Sequence, residues 1–176
     1  WTLQYLAQNG IASLDAAGIV TVLYDRVRVE PTDVSFRDAI EFAEKAPVDG
    51  IVAVGGGSVI DTAKAVNLYT TYPPADFLDY VNAPIGKAVP VPGPLKPLIA
   101  VPTTAGTGSE TTAVAVTHVL DQNVKAGVSH RLLRPALGVV DPLNTLTVPP
   151  EVTAAAGADI LTHAIESYTT RPYNAR

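Results

Sequence analysis

Residues 51–64 read IVAVGGGSVIDTAK, and they decide the fold because three consecutive glycines join a strand pattern to a helix pattern. Ile51–Val54 is a short, β-branched apolar run, typical of a buried strand. A helical pattern of apolar residues follows from about Val59 to Tyr69. The sequence therefore predicts a strand, a loop and a helix in direct succession.

The glycine turn has the properties of a phosphate-binding loop. Such a turn gathers backbone N–H groups and the positive end of the helix dipole in one concavity. Gly55, Gly56 and Gly57 supply the turn, and we expect Ser58 both to cap the helix and to donate to a phosphate oxygen, with Asp61 at capping-box spacing. The pattern is neither G-x-G-x-x-G nor a P-loop, so a purely structural glycine turn remains an alternative.

A second polar loop, PTTAGTGSE at residues 102–110, follows another buried strand at Leu98–Val101. Loops at the carboxyl ends of neighbouring parallel strands line the ligand crevice of an open sheet. We therefore expect the two loops to flank one cofactor. The alternative is a helix-capping loop, with Ser109 and Glu110 near a helix start.

The remaining pattern alternates strands with helices. Ser35 is the expected N-cap of a helix through Lys45, and prolines make residues 73–97 a long loop. Further strands are predicted at Ile19–Tyr24, at Leu137–Val140, and as a pair at Val114–Val119 and Lys125–Val128. This order predicts an α/β fold with a Rossmann-like, mostly parallel sheet covered by helices on both faces.

The pattern changes at Pro149-Pro150 to an Ala-rich helix from Glu151 to Tyr168. We expect an α/β nucleotide-binding domain at residues 1–148 and the start of an all-α domain at 149–176. The chain opens on Trp1 and contains no methionine, so we expect either a processed segment or a portion of a longer protein.

Asp159 and His163 form a candidate metal pair, because four-residue spacing places both on one helix face. A carboxylate and an imidazole suit Fe²⁺ and Zn²⁺ equally, whereas the alternative is a solvated side-chain pair. Apolar neighbours predict that this segment is buried on at least one side: Ile160, Leu161, Ala164 and Ile165. We expect His118 and His130 to be surface or structural residues.

Composition excludes several classes of protein. With 47% hydrophobic and 16% charged residues the chain is expected to be folded, and a net charge of −5 without a basic cluster argues against a nucleic-acid partner. No apolar run approaches the roughly 18–20 residues of a membrane span, so no membrane association is expected. Since cysteine is absent, any metal must be held by His and carboxylates. A cytoplasmic location is expected, or the mitochondrial matrix in a eukaryote.

Three segments together resemble the iron-containing (group III) alcohol dehydrogenase family: Gly55–Lys64, Pro102–Glu110 and Gly157–Tyr168. The resemblance extends from about Gly18 to Arg176. It is closest to the hydroxyacid-oxoacid transhydrogenase branch, on the stretches YDRVRVEPTD at 24–33, VAVGGGS at 52–58, FLDYVNAPIGK at 77–87 and PLKPLIAVPTT at 94–104.

This resemblance implies a cofactor, NAD or NADP, and a metal, Fe²⁺ or Zn²⁺. It assigns the diphosphate loop to Gly55, Gly56, Gly57 and Ser58, with Asp61 nearby. It assigns the nicotinamide and ribose side of the cleft to Thr103, Thr104, Thr107, Thr112, Val116 and Lys125. Two of the family's four metal ligands fall on Asp159 and His163, and no catalytic residue beyond the metal ligands is implied.

The implied function is an oxidoreductase acting on an alcohol or hydroxy acid. In the transhydrogenase branch a hydroxy acid such as 4-hydroxybutyrate reduces the bound cofactor, and an oxo acid such as 2-oxoglutarate reoxidises it. Alternatives are an ordinary iron-containing alcohol dehydrogenase or aldehyde reductase, and a noncatalytic nucleotide-binding domain. The family has another strand ahead of Trp1 and two further His ligands beyond Arg176, so the segment alone is expected to be inactive. A homo-oligomer is expected.

Overall fold

The structure is a computed structural model that describes residues 2–170. This part of the chain contains four α-helices and five strands, in the order α1 (Thr2–Ala16), α2 (Asp33–Glu44), β1 (Ile51–Gly55), α3 (Gly57–Thr71), β2 (Leu98–Pro102), β3 (Val114–Val119), β4 (Val124–Ser129), β5 (Leu137–Gly138) and α4 (Pro150–Thr169). Three short 3₁₀ helices lie at Phe77–Asp79, Arg131–Leu133 and Pro142–Thr145. None of the helices described is long and apolar enough to cross a membrane.

The central sheet is parallel, with the strand order β1-β2-β5. The register of β1 and β2 runs from Ile51 opposite Leu98 to Gly55 opposite Pro102, so both strands end at the same edge of the sheet. β3 and β4 form a separate antiparallel hairpin, as predicted. The α/β fold with a parallel sheet is therefore confirmed, and the loops after β1 and β2 leave the sheet side by side.

Helix α3 packs between the sheet and the rest of the molecule. On one side Ile60, fully buried, contacts β1 and β2 at Ala53, Leu98 and Ala100. On the other side Leu68 belongs to a larger apolar cluster formed with α2, the hairpin and the proline-rich loop. Because α3 contributes to both clusters, its first turn is held rigidly at the sheet edge.

The proline-rich loop at 73–97 holds one 3₁₀ helix but is otherwise irregular, largely as predicted. Its apolar side chains nevertheless complete the larger cluster. The ring of Tyr69 stacks on Phe77 with centroids 5.1 Å apart and meets the edge of Tyr80 at 5.4 Å. The Tyr69 hydroxyl donates to the Phe77 carbonyl at 2.7 Å, which satisfies a polar group inside the cluster.

The start of α2 differs from the prediction, because Thr32 and not Ser35 is the N-cap. The Thr32 hydroxyl accepts from the Ser35 N–H at 3.1 Å, and the Ser35 hydroxyl accepts from the Thr32 N–H at 2.8 Å. This reciprocal pair is a capping box with Ser35 as its third helical residue. The helix ends at Glu44, and Lys45 is its C-cap.

Two strand predictions were wrong in whole or in part. Residues 19–24 are irregular, and Val20 is 92% exposed. The strand at 137–140 is reduced to Leu137–Gly138, with Leu137 53% exposed. A β-branched run forms a strand only where a neighbour completes its hydrogen-bond ladder. Among residues 2–170 no segment pairs with 19–24, and nothing described covers Leu137.

The fully buried ring of Phe36 offers a test of the larger cluster. We expect Phe36→Ala to lower the free energy of unfolding by about 3–5 kcal/mol, because the substitution removes buried area and leaves a cavity. Val34→Ala, on the same helix at a position 59% exposed, is the control and should change it by less than about 0.5 kcal/mol. Urea unfolding of the two variants measures the difference, and equal effects would contradict this description of the core.

Candidate cofactor and metal site

The glycine turn leads directly into α3. The helix begins at Gly57, two residues before the predicted start, and its N-cap Gly56 has no side-chain capping bond. The predicted capping roles of Ser58 and Asp61 were therefore wrong. The N–H groups in the first turn of an α-helix have no partner within the helix, so an uncapped start leaves donors for a ligand.

The two loops predicted to flank a cofactor are in contact. The Thr103 N–H donates to the Gly55 carbonyl at 3.1 Å. A Cβ on Gly56 would lie 3.1 Å from the Thr104 hydroxyl, and a Cβ on Gly57 would lie 2.9 Å from the Thr107 methyl group. The close approach of the second loop thus favours glycine at both positions, independently of any ligand.

Gly55 is required for a different reason. A Cβ at this position would collide with the side chain of Val59, one turn into α3. The tight passage from strand to helix therefore depends on glycine. The glycine turn has a structural role, as the alternative interpretation held, and at the same time creates a narrow cleft edge of backbone amides that a phosphate could approach.

Three hydroxyl groups around this cleft share one hydrogen-bonding arrangement. Ser58 accepts from the N–H of Glu30 at 3.2 Å, and Thr107 accepts from the N–H of Ser109 at 3.2 Å. Thr112 accepts from the ammonium group of Lys64 at 3.0 Å. A hydroxyl oxygen that accepts a bond keeps its own proton for donation. Among residues 2–170 none of the three donates to another protein atom, so each has a proton available to a ligand.

The two hairpin residues predicted for the cofactor site are exposed. Val116 on β3 is 44% exposed, and the Lys125 ammonium on β4 lies 3.1 Å from a carboxylate oxygen of Glu30. Glu30, with φ +53°, thus connects Lys125 to Ser58. Sequence reasoning missed Glu30, and its only signal was its place before Pro31 in the turn.

Among the predicted cofactor residues with polar side chains, Asp61 and Thr103 are the buried ones, at 9% and 4% exposure. The Asp61 carboxylate accepts from the N–H of Val116 at 3.0 Å and lies 3.4 Å from the Lys64 ammonium. Burial raises the pKa of Asp61 above its ordinary value, against the opposing attraction of Lys64. Both carboxylate oxygens therefore have protein partners, and a cofactor contact at Asp61 stays a prediction.

The metal pair lies on α4, as the helical spacing predicted. His163 Nε2 is 3.8 Å from Asp159 Oδ1, and the two side chains are 51% and 42% exposed. The expected burial of this segment was wrong: α4 has no buried residue, with Leu161 61% exposed and Ile165 55%. Nothing in the described part of the chain covers the apolar face of this helix.

The residue types and their geometry fit one ion with two protein ligands. An imidazole and a carboxylate are ligands of Fe²⁺ and Zn²⁺, and both side chains here are partly exposed. Between residues 2 and 170 no group of three or more His, Cys, Asp and Glu side chains could hold a metal. A catalytic metal normally has three protein ligands or more, so these two alone would supply only part of a site.

α4 also contacts the second loop. A Cβ on Gly106 would lie 2.8 Å from the carbonyl oxygen of Ala156, which precedes Asp159 by three residues. Asp159 is therefore about one helical turn, and His163 about two turns, from a contact with the loop that faces the glycine turn.

The other two histidines have structural roles, as predicted. His118 Nε2 lies 3.1 Å from the Asn123 side-chain oxygen, across the hairpin turn. His130 caps the 3₁₀ helix at Arg131–Leu133, where its Nδ1 accepts from the Leu132 N–H at 3.3 Å. Neither contributes to the metal pair.

Solved structures share the fold of this chain. An iron-containing alcohol dehydrogenase from Thermococcus thioreducens has a TM-score of 0.86 and 32% sequence identity, over 96% of this chain and 44% of that one. A sulfoacetaldehyde reductase from Bifidobacterium kashiwanohense, solved in complex with NAD+, has a TM-score of 0.83 and 31% identity, over 98% of this chain and 45% of that one.

Curated relatives are closer in sequence. The mitochondrial hydroxyacid-oxoacid transhydrogenases of Bos taurus and Homo sapiens are each 59% identical over 169 residues, which is 96% of this chain. The chain spans 36% of the length of these relatives. The family model of iron-containing alcohol dehydrogenase matches residues 3–142. On this match, the chain belongs to the iron-containing alcohol dehydrogenase family.

Proposed function

We propose that the full-length protein is a hydroxyacid-oxoacid transhydrogenase that uses NAD and Fe²⁺. The observation that carries this proposal is the 59% identity to mitochondrial enzymes of that name over nearly the whole chain. Identity to the solved alcohol dehydrogenases and reductases is lower, at 32% and 31% for the two compared above. The transhydrogenase assignment is therefore favoured over an ordinary alcohol dehydrogenase or aldehyde reductase.

The geometry supports an NAD site between the two loops. The uncapped first turn of α3 suits a diphosphate, and the free protons of Ser58, Thr107 and Thr112 suit phosphate and ribose oxygens. We assign this site to residues 1–148 as a cofactor-binding domain. Residues 149–176 then begin an all-α domain that holds the metal.

Asp159 and His163 would supply two metal ligands, and further ligands would come from elsewhere in the full-length protein. When bound, the metal supplies a Lewis acid to the substrate oxygen, and NAD supplies the acceptor and later the donor of the hydride. The residues of this chain would contribute by positioning the metal and the cofactor. In the proposed enzyme the contact of α4 with the second loop would hold the metal ligands near the cofactor, and the two loops would orient the cofactor.

Substrates, location and assembly follow from the relatives as proposals. A hydroxy acid and an oxo acid, of the 4-hydroxybutyrate and 2-oxoglutarate type, are the proposed small-molecule partners. A mitochondrial location is proposed because the relatives are named as mitochondrial. A homo-oligomer is the proposed assembly. The titrations below distinguish NAD from NADP and Fe²⁺ from Zn²⁺.

Gly57→Ala tests the cofactor cleft. The added methyl group would meet Thr107 at 2.9 Å and Ser109 at 3.1 Å, so the second loop must move. We expect NAD+ affinity in the full-length protein to fall about tenfold, equivalent to about 1.4 kcal/mol. Gly10→Ala is the control, since a Cβ at this helical position meets nothing within 4 Å. Titration of NAD+ and NADP+ measures both variants, and equal affinities would contradict the assigned cleft.

Asp159→Ala and His163→Ala test the metal pair. Each removes one ligand, so we expect Fe²⁺ affinity to fall at least about tenfold, or about 1.4 kcal/mol. Glu151→Ala is the control, because this exposed carboxylate lies on the same helix in its first turn. Anaerobic calorimetric titration of the full-length protein with Fe²⁺, and separately with Zn²⁺, gives the result. Unchanged affinity in both ligand variants would refute the assignment.

Hydride transfer between two acids distinguishes the enzyme classes. With a hydroxy acid deuterated at its carbinol carbon, the transhydrogenase should place deuterium in the hydroxy acid formed from the oxo acid. We expect turnover to require the added oxo acid, because hydride returns from the bound cofactor. Sustained NADH release from hydroxy acid and free NAD+ alone would instead identify an ordinary dehydrogenase. Absence of any turnover, with nucleotide binding retained, would favour a noncatalytic nucleotide-binding protein.

A further inference from the structure

Lys64 is the one lysine among the described residues that is fully buried. Its ammonium nitrogen lies 2.7 Å from the Val114 carbonyl oxygen, 3.0 Å from the Thr112 hydroxyl and 3.4 Å from Asp61 Oδ1. Burial of a lysine without hydrogen-bond partners would strongly destabilise the fold, so Lys64 depends on these three acceptors. Nothing in the sequence-based assignment of cofactor or metal residues uses Lys64.

Three acceptors match the three N–H donors of a charged ammonium group, whereas a neutral amine has two. Burial lowers the pKa of Lys64, and the neighbouring Asp61 carboxylate opposes that effect. The count of acceptors and the adjacent negative charge both favour the charged form. Lys64 therefore holds a carbonyl, a hydroxyl and a carboxylate in fixed directions around one point.

The buried pair connects α3 to the segment that enters the hairpin. Lys64 binds Thr112 and Val114, and its partner Asp61 accepts from the N–H of Val116. Every second residue from 112 to 116 is thus tied to one side of α3. The same helix begins at Gly57, two turns before Lys64, so one rigid element carries both the glycine turn and this anchor.

A buried ion pair contributes little stability compared with an apolar pair of similar volume, so stability alone is a weak reason for it. A better reason for this ion pair is that Lys64 fixes the orientation of the groups that accept its hydrogen bonds. The Thr112 hydroxyl accepts from Lys64, so its own proton points away from the ammonium. Thr112 is partly buried and belongs to the set of residues assigned to the cofactor cleft.

We propose that Lys64 is a positioning residue for the cofactor: from inside the protein it orients the Thr112 hydroxyl, just before β3, towards the cofactor. This inference rests on the proposed NAD site. Lys64 itself does not touch the cofactor, because its three donors are taken by protein acceptors and its side chain has no exposed surface.

A double-mutant cycle on NAD+ affinity tests this inference. The variants are Lys64→Met, Thr112→Val and the combination, each measured in the full-length protein beside its urea unfolding curve. If Lys64 acts through Thr112, Lys64→Met should weaken NAD+ binding about tenfold in the wild-type background and less than about twofold once Thr112 is valine. In a Thr112→Ser background, which keeps the hydroxyl, Lys64→Met should again weaken NAD+ binding about tenfold.

Lys45→Met is the matched control, because Lys45 pairs with Glu41 at 2.7 Å on the exposed side of α2. It should leave NAD+ affinity unchanged. If Lys64→Met does not fold, since it leaves Asp61 buried without its partner, Lys64→Gln replaces it in the cycle. Gln retains a hydrogen-bond donor without the charge, so we expect Lys64→Gln to weaken NAD+ binding less than Lys64→Met does. This effect should again occur only when position 112 is threonine.

The outcomes separate the inference from the function it rests on. The positioning role would be overturned if Lys64→Met weakened NAD+ binding equally with threonine and with valine at position 112. It would also be overturned if Lys64→Met reduced stability but left NAD+ affinity unchanged. In both cases the wild type still binds NAD+, and the proposed function stands. If the wild type binds no NAD+, the proposed function and this inference are both overturned.

Discussion

The parallel pairing of β1 with β2 is the constraint on which the candidate site depends. Because Gly55 lies opposite Pro102, the glycine turn and the threonine-rich loop leave the sheet at the same edge and touch. Their contact is so close that a Cβ on Gly56 or Gly57 would reach threonine side chains. A shift in strand register would separate the loops and remove the cleft.

Helix α3 connects the paired strands to the rest of the chain. Its first turn faces the cleft, Ile60 packs on the sheet, and Leu68 packs in the larger apolar cluster. Between these apolar contacts lie Asp61 and Lys64, which bind the entry to the hairpin. The glycine turn, the sheet and the hairpin are therefore all attached to one rigid helix. The Asp61–Lys64 pair contributes more to the orientation of the hairpin on this helix than to the stability of the fold.

The fold class and the pairing of the hairpin could be predicted from the sequence, because apolar periodicity and glycine punctuation are local signals. The same signals gave wrong predictions where the local structure depends on contacts with distant segments or on a neighbouring cap. Ile19–Tyr24 has strand composition but no partner among the residues described, and Ser35 has capping chemistry but lies three residues inside the box begun by Thr32. Lys64 could have been noticed as a charge between Ala63 and Ala65, three residues after Asp61, although its acceptors lie 48 and 50 residues away.

By itself, the sequence determined which residues can do chemistry: the glycine turn, the hydroxyl-rich loop, and an aspartate and a histidine one helical turn apart. The family match covers residues 3–142 and confirms the class of protein for the first two of these motifs. Only the tertiary structure decided how they are arranged, including the contact between the loops, the proximity of α4 and the exposure of the metal pair. The physical reason is that motif chemistry is carried by neighbouring residues, whereas contact and burial are set by segments far apart in the chain.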